Sequence, residues 1–274
     1  MPQQPFAPVH QFHRHPQAPW LELRVSQPSP HCFRLHAHDE YSIGIVDGGQ
    51  ALFHHEGGPE RVGPGSVVLI EPGRWHACNP QDVTHWSYRM LFVQADWVHA
   101  QLQLAALRFP ARALHDADNA DMAHRFCQPL TATNDVAAHT QLLLDFLRAN
   151  ARADALSISS RAIHSDEAIR HAVEQLHAQP QADTSVASLA QACGMSASRF
   201  IRHFKAATGV TPGAYRLNLR LNGARRLLAQ GAALADAAHS MGFADQAHLQ
   251  RSFKAHHALT PGRYAQNAKC APSP

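Results

Sequence analysis

The sequence predicts an α+β protein: a small β-barrel or sandwich at the N-terminus, helices after it, and an all-α C-terminal part. Three observations carry that expectation. Turn signals punctuate residues 20–95 at short spacing, the texture becomes Leu- and Ala-rich from Asp96, and a helix-turn-helix outline occurs twice after residue 165. With 274 residues, the chain is long enough for two domains that each bury a core. Its 45% hydrophobic and 16% charged content is that of a globular protein. No apolar run approaches the about 18 residues of a membrane span. The opening MPQQPFAPVHQFHRHP has no apolar stretch of signal-peptide kind, which predicts against export. The five cysteines, Cys32, Cys78, Cys127, Cys193 and Cys270, are odd in number, scattered and without CxxC spacing. Neither a disulfide framework nor a zinc ribbon is suggested, and a cytoplasmic location is expected.

The strand region is defined by DGG at 47–49, EGG at 56–58, GPG at 63–65 and EPG at 71–73. Within it, RLHAHDEYSIG at 34–44 alternates: Phe33, Leu35 and Ala37 take one parity, and Arg34, His36 and His38 the other. This predicts a half-buried strand with both histidines facing one way. His54 and His55 fall in an apparent hairpin and are expected to be exposed. Further on, VAAHTQLLLDFLRANAR at 136–152 predicts a helix with more apolar positions than one packing face needs. Such a helix is either central to a bundle or paired across a dimer interface, with Leu143 and Leu147 as the expected dimer contacts. RADALSISSRAIHS at 152–165 lacks a strong period and is expected to be a linker.

Every later signal is helical. Ser165 is the expected cap of a helix in which Ile169, Ala172, Val173 and Leu176 recur on one face. LAQACGMSASRFIRHFKAATGVTPGAY (189–215) then matches AAHSMGFADQAHLQRSFKAHHALTPGRY (237–264), the second copy gaining one residue after its glycine. Gly194 answers Gly242, Phe204 answers Phe253, and Thr211-Pro212-Gly213 answers Thr260-Pro261-Gly262. In each copy the threonine is a cap and the proline stands at the first helical position. PGAYRLNLRLNGARRLLAQ joins the copies as one helix of about 18 residues, roughly 27 Å long. Charge is divided along the chain. Residues 1–160 hold 11 Lys/Arg against 15 Asp/Glu, a balance of −4, and residues 161–274 hold 13 against 6, a balance of +7. A basic C-terminal part with duplicated helix-turn-helix units points to a polyanion partner.

Residues 166–266 resemble the DNA-binding domain of AraC/XylS-family transcription regulators. LAQACGMSASRFIRHFK, LRLNGARRLL with Arg220 and Ala224, and GFADQAHLQRSFK followed by TPGRY carry the resemblance. Two departures are His257-Ala258, where the family usually has a Gly after the helix, and His248-Leu249 in place of a commoner aromatic pair. The N-terminal part resembles the cupin-type sensor domain of such regulators at HAHDEYSIGIVDGG, GPGSVVLIEPGRWHACNP and HWSYRMLFV. The resemblance implies a cupin-like effector-binding domain at 1–95, a helical dimerisation segment at 96–151, the linker at 152–165 and a double helix-turn-helix domain at 166–274. It also implies double-stranded DNA, a small-molecule effector and a second copy of the chain as partners, with RNA polymerase added if the regulator activates.

Candidate site residues follow. In the recognition helices Phe200, Phe204, Leu249 and Phe253 are expected to be core. Ser198, Arg199, Arg202 and Lys205 in the first, and Gln246, Gln250, Arg251 and Lys254 in the second, remain for DNA. Arg suits guanine O6 and N7, Gln suits adenine N6 and N7, and Arg199, Lys205 and Lys254 suit phosphates. In the barrel, His36, His38, Glu40 and His76 are the expected effector-binding residues. A divalent metal on His36, His38 and His76 and simple packing stay open as alternatives. In cupin enzymes a Glu normally follows the second His by four or five positions, where this chain has Ser42 and Ile43, so Glu40 comes early. No GxSxG, Walker loop or GxGxxG is present. No catalytic residue is assigned, no cofactor is required, and the expected function is regulation. A metal-dependent cupin oxygenase or isomerase with a helical appendage is the alternative.

Overall fold

In the computed structural model, which describes residues 10–28, 34–130, 135–154 and 166–269, a hairpin of β1 (His10–His15) and β2 (Ala18–Ser26) precedes the first turn signal. Then come β3 (Glu40–Gly48), β4 (Ala51–His55), β5 (Gly58–Val62), β6 (Val67–Ile70), β7 (Ala77–Pro80) and β8 (Ser87–Gln94). Short strands β9 (Ala106–Arg108), β10 (Ala113–Leu114) and β11 (Arg152–Asp154) follow. One sheet has the order β1-β2-β8-β3-β6-β10, a second β5-β4-β7, and β9 pairs with β11. The four glycine turns fall between strands as their residue types demand. At Gly49, φ is +76° and a Cβ would stand 3.0 Å from the backbone of Trp86, so glycine is needed twice over.

The six-stranded sheet is buried on both faces. Through the antiparallel register, Leu23, Leu91, Ile43 and Leu69 form one transverse row, and Glu22, Phe92, Ser42 and Ile70 form the next, on the opposite face. The first face is covered by α1 (Ala95–Leu102), α2 (Ala117–Phe126) and α3 (Val136–Asn150). Val98, Ala123, Phe126, Leu143, Phe146 and Leu147 share a continuous core with it. Asp116 and Asp135 cap α2 and α3 by accepting from backbone N–H groups of the first turn. The apolar excess of α3 is therefore consumed inside this unit. Leu143 and Leu147, expected as dimer contacts, are fully buried against the sheet and α2, where each gains about 1.5–3 kcal/mol from burial.

Two further expectations are corrected. Residues 34–38 do not form a regular strand: His36 makes one bridge, to His76, and Leu35 is exposed while Ala37 is buried beside both histidines. After the bridge the His38 carbonyl accepts from Gly73 N–H at 2.8 Å, which turns the chain before β3 and breaks the alternation. His54 and His55 are half-buried residues of β4 rather than exposed, and the His55 ring lies 3.5 Å from Glu60 on β5. Phe33, Cys32, Cys270, linker residues 155–165 and the expected cap Ser165 lie outside the described residues. Cys78, Cys127 and Cys193 are free thiols.

The chain divides into two units, residues 1–155 with 266–274 and residues 156–265. In the second, α4 (Glu167–Ala178) is capped by Asp166 and buries Ile169, Ala172, Val173 and Leu176, the face its period predicts. The first copy of the repeat is α5 (Val186–Ala192) and α6 (Ala197–Thr208); the second is α8 (Leu234–Ser240) and α9 (Gln246–His257). The 18-residue α7 (Pro212–Ala229) joins them, and α10 (Pro261–Lys269) follows the second copy. Ser196, Thr211 and Thr260 accept from the N–H three residues on, as caps do. Gly209 ends α6 with φ +83°, and Ala258 ends α9 with φ +62°, the same left-handed cap without the glycine. The second turn is also tied from α7. Arg220 donates from Nε to Pro180 O (2.7 Å), from one terminal nitrogen to Gly242 O (2.7 Å), and from the other to Gln181 O and Ala182 O (3.1 Å each).

Candidate functional site

Helix α6 sorts its residues by the 3.6-residue period. Phe200 and Phe204 are fully buried, while Ser198, Arg199, Arg202 and Lys205 are exposed. On α9 Leu249 and Phe253 are buried, and Gln246, Gln250, Arg251 and Lys254 are exposed. With Phe200 aligned to Leu249, Arg202 answers Arg251 and Lys205 answers Lys254, so both copies present the same pair of cations. Neither Arg202 nor Arg251 has an ion pair or hydrogen bond among the described residues, which leaves both guanidinium forks to an outside acceptor. Ile201, at the position of Gln250, is one of two exposed large hydrophobic residues among those described.

In the first unit His36, His38 and His76 come together. One nitrogen from each ring lies within 4.8 Å of the others, and all three residues are buried. His36 and His76 are bridged in both directions through their backbones, at 3.0 and 2.8 Å. Their Nδ1 atoms donate to the carbonyls two residues back, Arg34 O at 2.7 Å and Arg74 O at 2.8 Å, which in a neutral ring puts the lone pair on Nε2. Burial pushes the His76 imidazole down to about 4, against the smaller opposing effect of the Arg74 carbonyl, so it is neutral near pH 7. Glu40 does not join the cluster. It lies half-buried at the start of β3, opposite Gln94.

The polar face of the six-stranded sheet adds residues that sequence reasoning missed. Glu22, Arg24 and Ser26 on β2 are all buried, on the same face as Phe92, whose ring is 5.0 Å from that of His38. The Arg24 guanidinium lies over the Phe12 and Tyr88 rings at 5.7 and 5.6 Å, and bonds His10 at 3.2 Å. Glu22 pairs with Arg14. Ser42 Oγ and Trp86 Nε1 are buried without a hydrogen-bond partner among the described residues. The signal was the alternation LELRVS, whose polar members belong to the interior. A separate cavity of about 430 Å3, between α1, β9, α3 and β11, is lined by Leu102, Leu107, Leu147, Arg148 and Arg152 and includes none of the expected effector residues.

Comparison with known proteins agrees with this layout. Residues 21–197 match the model of the AraC-like ligand binding domain, and residues 189–267 that of a helix-turn-helix domain. An AraC-like transcription regulator of Streptomyces lividans is 30% identical over 244 residues, covering 87% of this chain and 76% of the relative. The HTH-type transcriptional regulator YbfI of Bacillus subtilis (strain 168) is 27% identical over 224 residues, covering 79% and 81%. Among solved structures, unsaturated fatty acid bound wild-type ToxT from Vibrio cholerae strain SCE256 superimposes with a TM-score of 0.56 at 14% identity over 97% of each chain. That likeness concerns the fold: a cupin-like sheet unit followed by helix-turn-helix units.

Proposed function

We propose, from the premise that this chain belongs to the AraC family of transcription regulators, that it reads two successive major grooves with α6 and α9. One observation carries the reading: the repeat sets unpartnered Arg202 and Arg251 at equivalent positions on two helices joined by the 18-residue α7, roughly 27 Å long against about 34 Å for a turn of DNA. Arg202, Arg251 and Gln246 contact bases, with Ser198 and Gln250 beside them, while Arg199, Lys205 and Lys254 meet phosphates. The N-terminal unit binds a small polar effector through His36, His38 and His76, without Glu40, and the protein acts by binding rather than by catalysis. The buried charges of Glu22 and Arg24 suit a polar ligand better than the fatty acid of ToxT. The effector shifts DNA affinity by as much as it favours one conformational state over another. The regulator works in the cytoplasm as a homodimer, through a surface other than Leu143 and Leu147, and meets RNA polymerase where it activates. Among the described residues no helix is long and apolar enough to cross a membrane.

The test is a binding titration against an operator selected from random DNA. Arg202→Ala and Arg251→Ala should each cost about 1–3 kcal/mol and relax base preference in different halves of the site. Lys205→Ala should weaken all sequences alike and lower the salt slope by about one. Equal affinity for operator and random DNA, or relaxation of the same bases by both Arg variants, would overturn two-groove reading.

A further inference from the structure

We infer that His36, His38 and His76 form a divalent-metal site of the kind that takes zinc, buried in the N-terminal unit. The inference rests on reading that unit as the sensing one, and it names what the cluster holds. Geometry comes first. Three nitrogens, each about 2.0–2.1 Å from one zinc ion in a tetrahedral site, stand roughly 3.4 Å apart. Here they lie within 4.8 Å of one another, so each ring needs to move inward by less than about 1 Å. Orientation is already set. His36 and His76 each donate Nδ1–H to a backbone carbonyl, the arrangement that fixes the tautomer and ring plane of a metal-ligating histidine and leaves Nε2 with its lone pair. The reciprocal backbone bridge holds these two rings in register, with centroids 4.4 Å apart. His38 is placed by its edge-on contact with Phe92.

Chemistry then selects the ion. Three imidazoles with no carboxylate or thiolate among them suit zinc, nickel or copper and not magnesium or calcium, which need oxygen donors. The carboxylate of Glu71, which lines a small cavity with His76, is committed elsewhere: it accepts from Arg112 and from Phe109 N–H. Packing alone is a weaker account of the cluster. Gathering three polar rings away from water carries a desolvation cost that apolar side chains would not, and a bound ion offsets it.

The experiment uses the full chain, purified without an affinity tag and stripped with a chelator. Zinc binding is measured by calorimetry, and cobalt(II) binding by visible absorption. One equivalent of zinc should bind the wild type. His76→Gln and His38→Gln should each weaken it by more than the about 10- to 100-fold that losing an outer-shell partner costs. His85→Gln, whose side chain is 75% exposed, is the control for adventitious binding by the other histidines and should change nothing. If wild type binds no more zinc than His76→Gln, the inference is wrong. Should the glutamine variants fail to fold, the wild-type cobalt spectrum decides alone. Intense bands of a four-coordinate, nitrogen-ligated ion support the site, and the weak spectrum of a six-coordinate ion overturns it. Operator binding by the stripped protein is recorded in parallel, so that failure of the regulator reading shows up separately.

Discussion

Arg220→Met should destabilise the second unit and leave the first untouched. The substitution keeps most of the stem and removes the fork that ties α7 to the carbonyls of Pro180, Gln181, Ala182 and Gly242. Two of these bonds are 2.7 Å long, and a hydrogen bond to a charged group contributes about 1.5–3 kcal/mol. The two at 3.1 Å add little, because water can replace them at a half-exposed site. Water also recovers part of the first pair, so the net cost should be about 2–4 kcal/mol, a large share of the about 5–15 kcal/mol that a domain has in total. All four tryptophans, Trp20, Trp75, Trp86 and Trp97, lie in the first unit, whereas the second is helical. In urea unfolding, tryptophan fluorescence therefore reports the first unit, while far-UV circular dichroism reports the helices of both units, most of which lie in the second. The dichroism midpoint should fall and the fluorescence midpoint should stay. A loss below about 1 kcal/mol would refute the reasoning, since the fork would then be no better than solvent for those carbonyls.

Ala258→Gly should stabilise the second unit by about 1 kcal/mol, because the left-handed cap strains a residue with a Cβ, and Gly209→Ala should cost a similar amount; the dichroism transition measures both. Leu147→Ala should cost about 2–5 kcal/mol in the fluorescence transition and leave the sedimentation coefficient unchanged; a shift from dimer to monomer would restore the interface reading of α3. In metal-free protein, His76 titrates near 4, against 6.5 in the unfolded chain, so the unfolded state takes up its proton first as pH falls. Stability of the first unit should therefore drop by about 3 kcal/mol between roughly pH 6.5 and 4, and His76→Gln should remove that part of the slope.

What could be read from the amino acids alone follows the range of the interactions involved. The face of α4, the caps Ser196, Thr211 and Thr260, the glycine turns and the repeat depend on neighbours within a turn or a hairpin, and they stand where periodicity puts them, whereas Asp166 and not Ser165 caps α4. The exposed cations of α6 and α9 were legible for the same reason, since a helix with two buried aromatic or aliphatic positions per two turns leaves its other face outside. Tertiary context decided the rest. Alternation in LELRVS marks two faces but not which one meets water, and here neither does. The richness of α3 in leucine is equally compatible with a neighbouring chain and with the sheet it covers. His36 and His38 could be paired with His76 only through family resemblance, because nothing local brings residues so far apart in the chain into one cluster.

Under the proposed function, the two buried faces of the six-stranded sheet divide the labour between holding the fold and choosing a ligand. Leu23, Ile43, Leu69 and Leu91 lock the sheet to the helices, while Glu22, Ser26, Ser42 and Phe92 look the other way. A change such as Ser42→Ala alters what the interior can recognise without touching the contacts that keep α1–α3 in place. Descendants of this chain can thus drift in specificity under weak selection for stability, and a library varied on one parity of β2, β3 and β8 alone should yield many folded proteins with new ligand preferences.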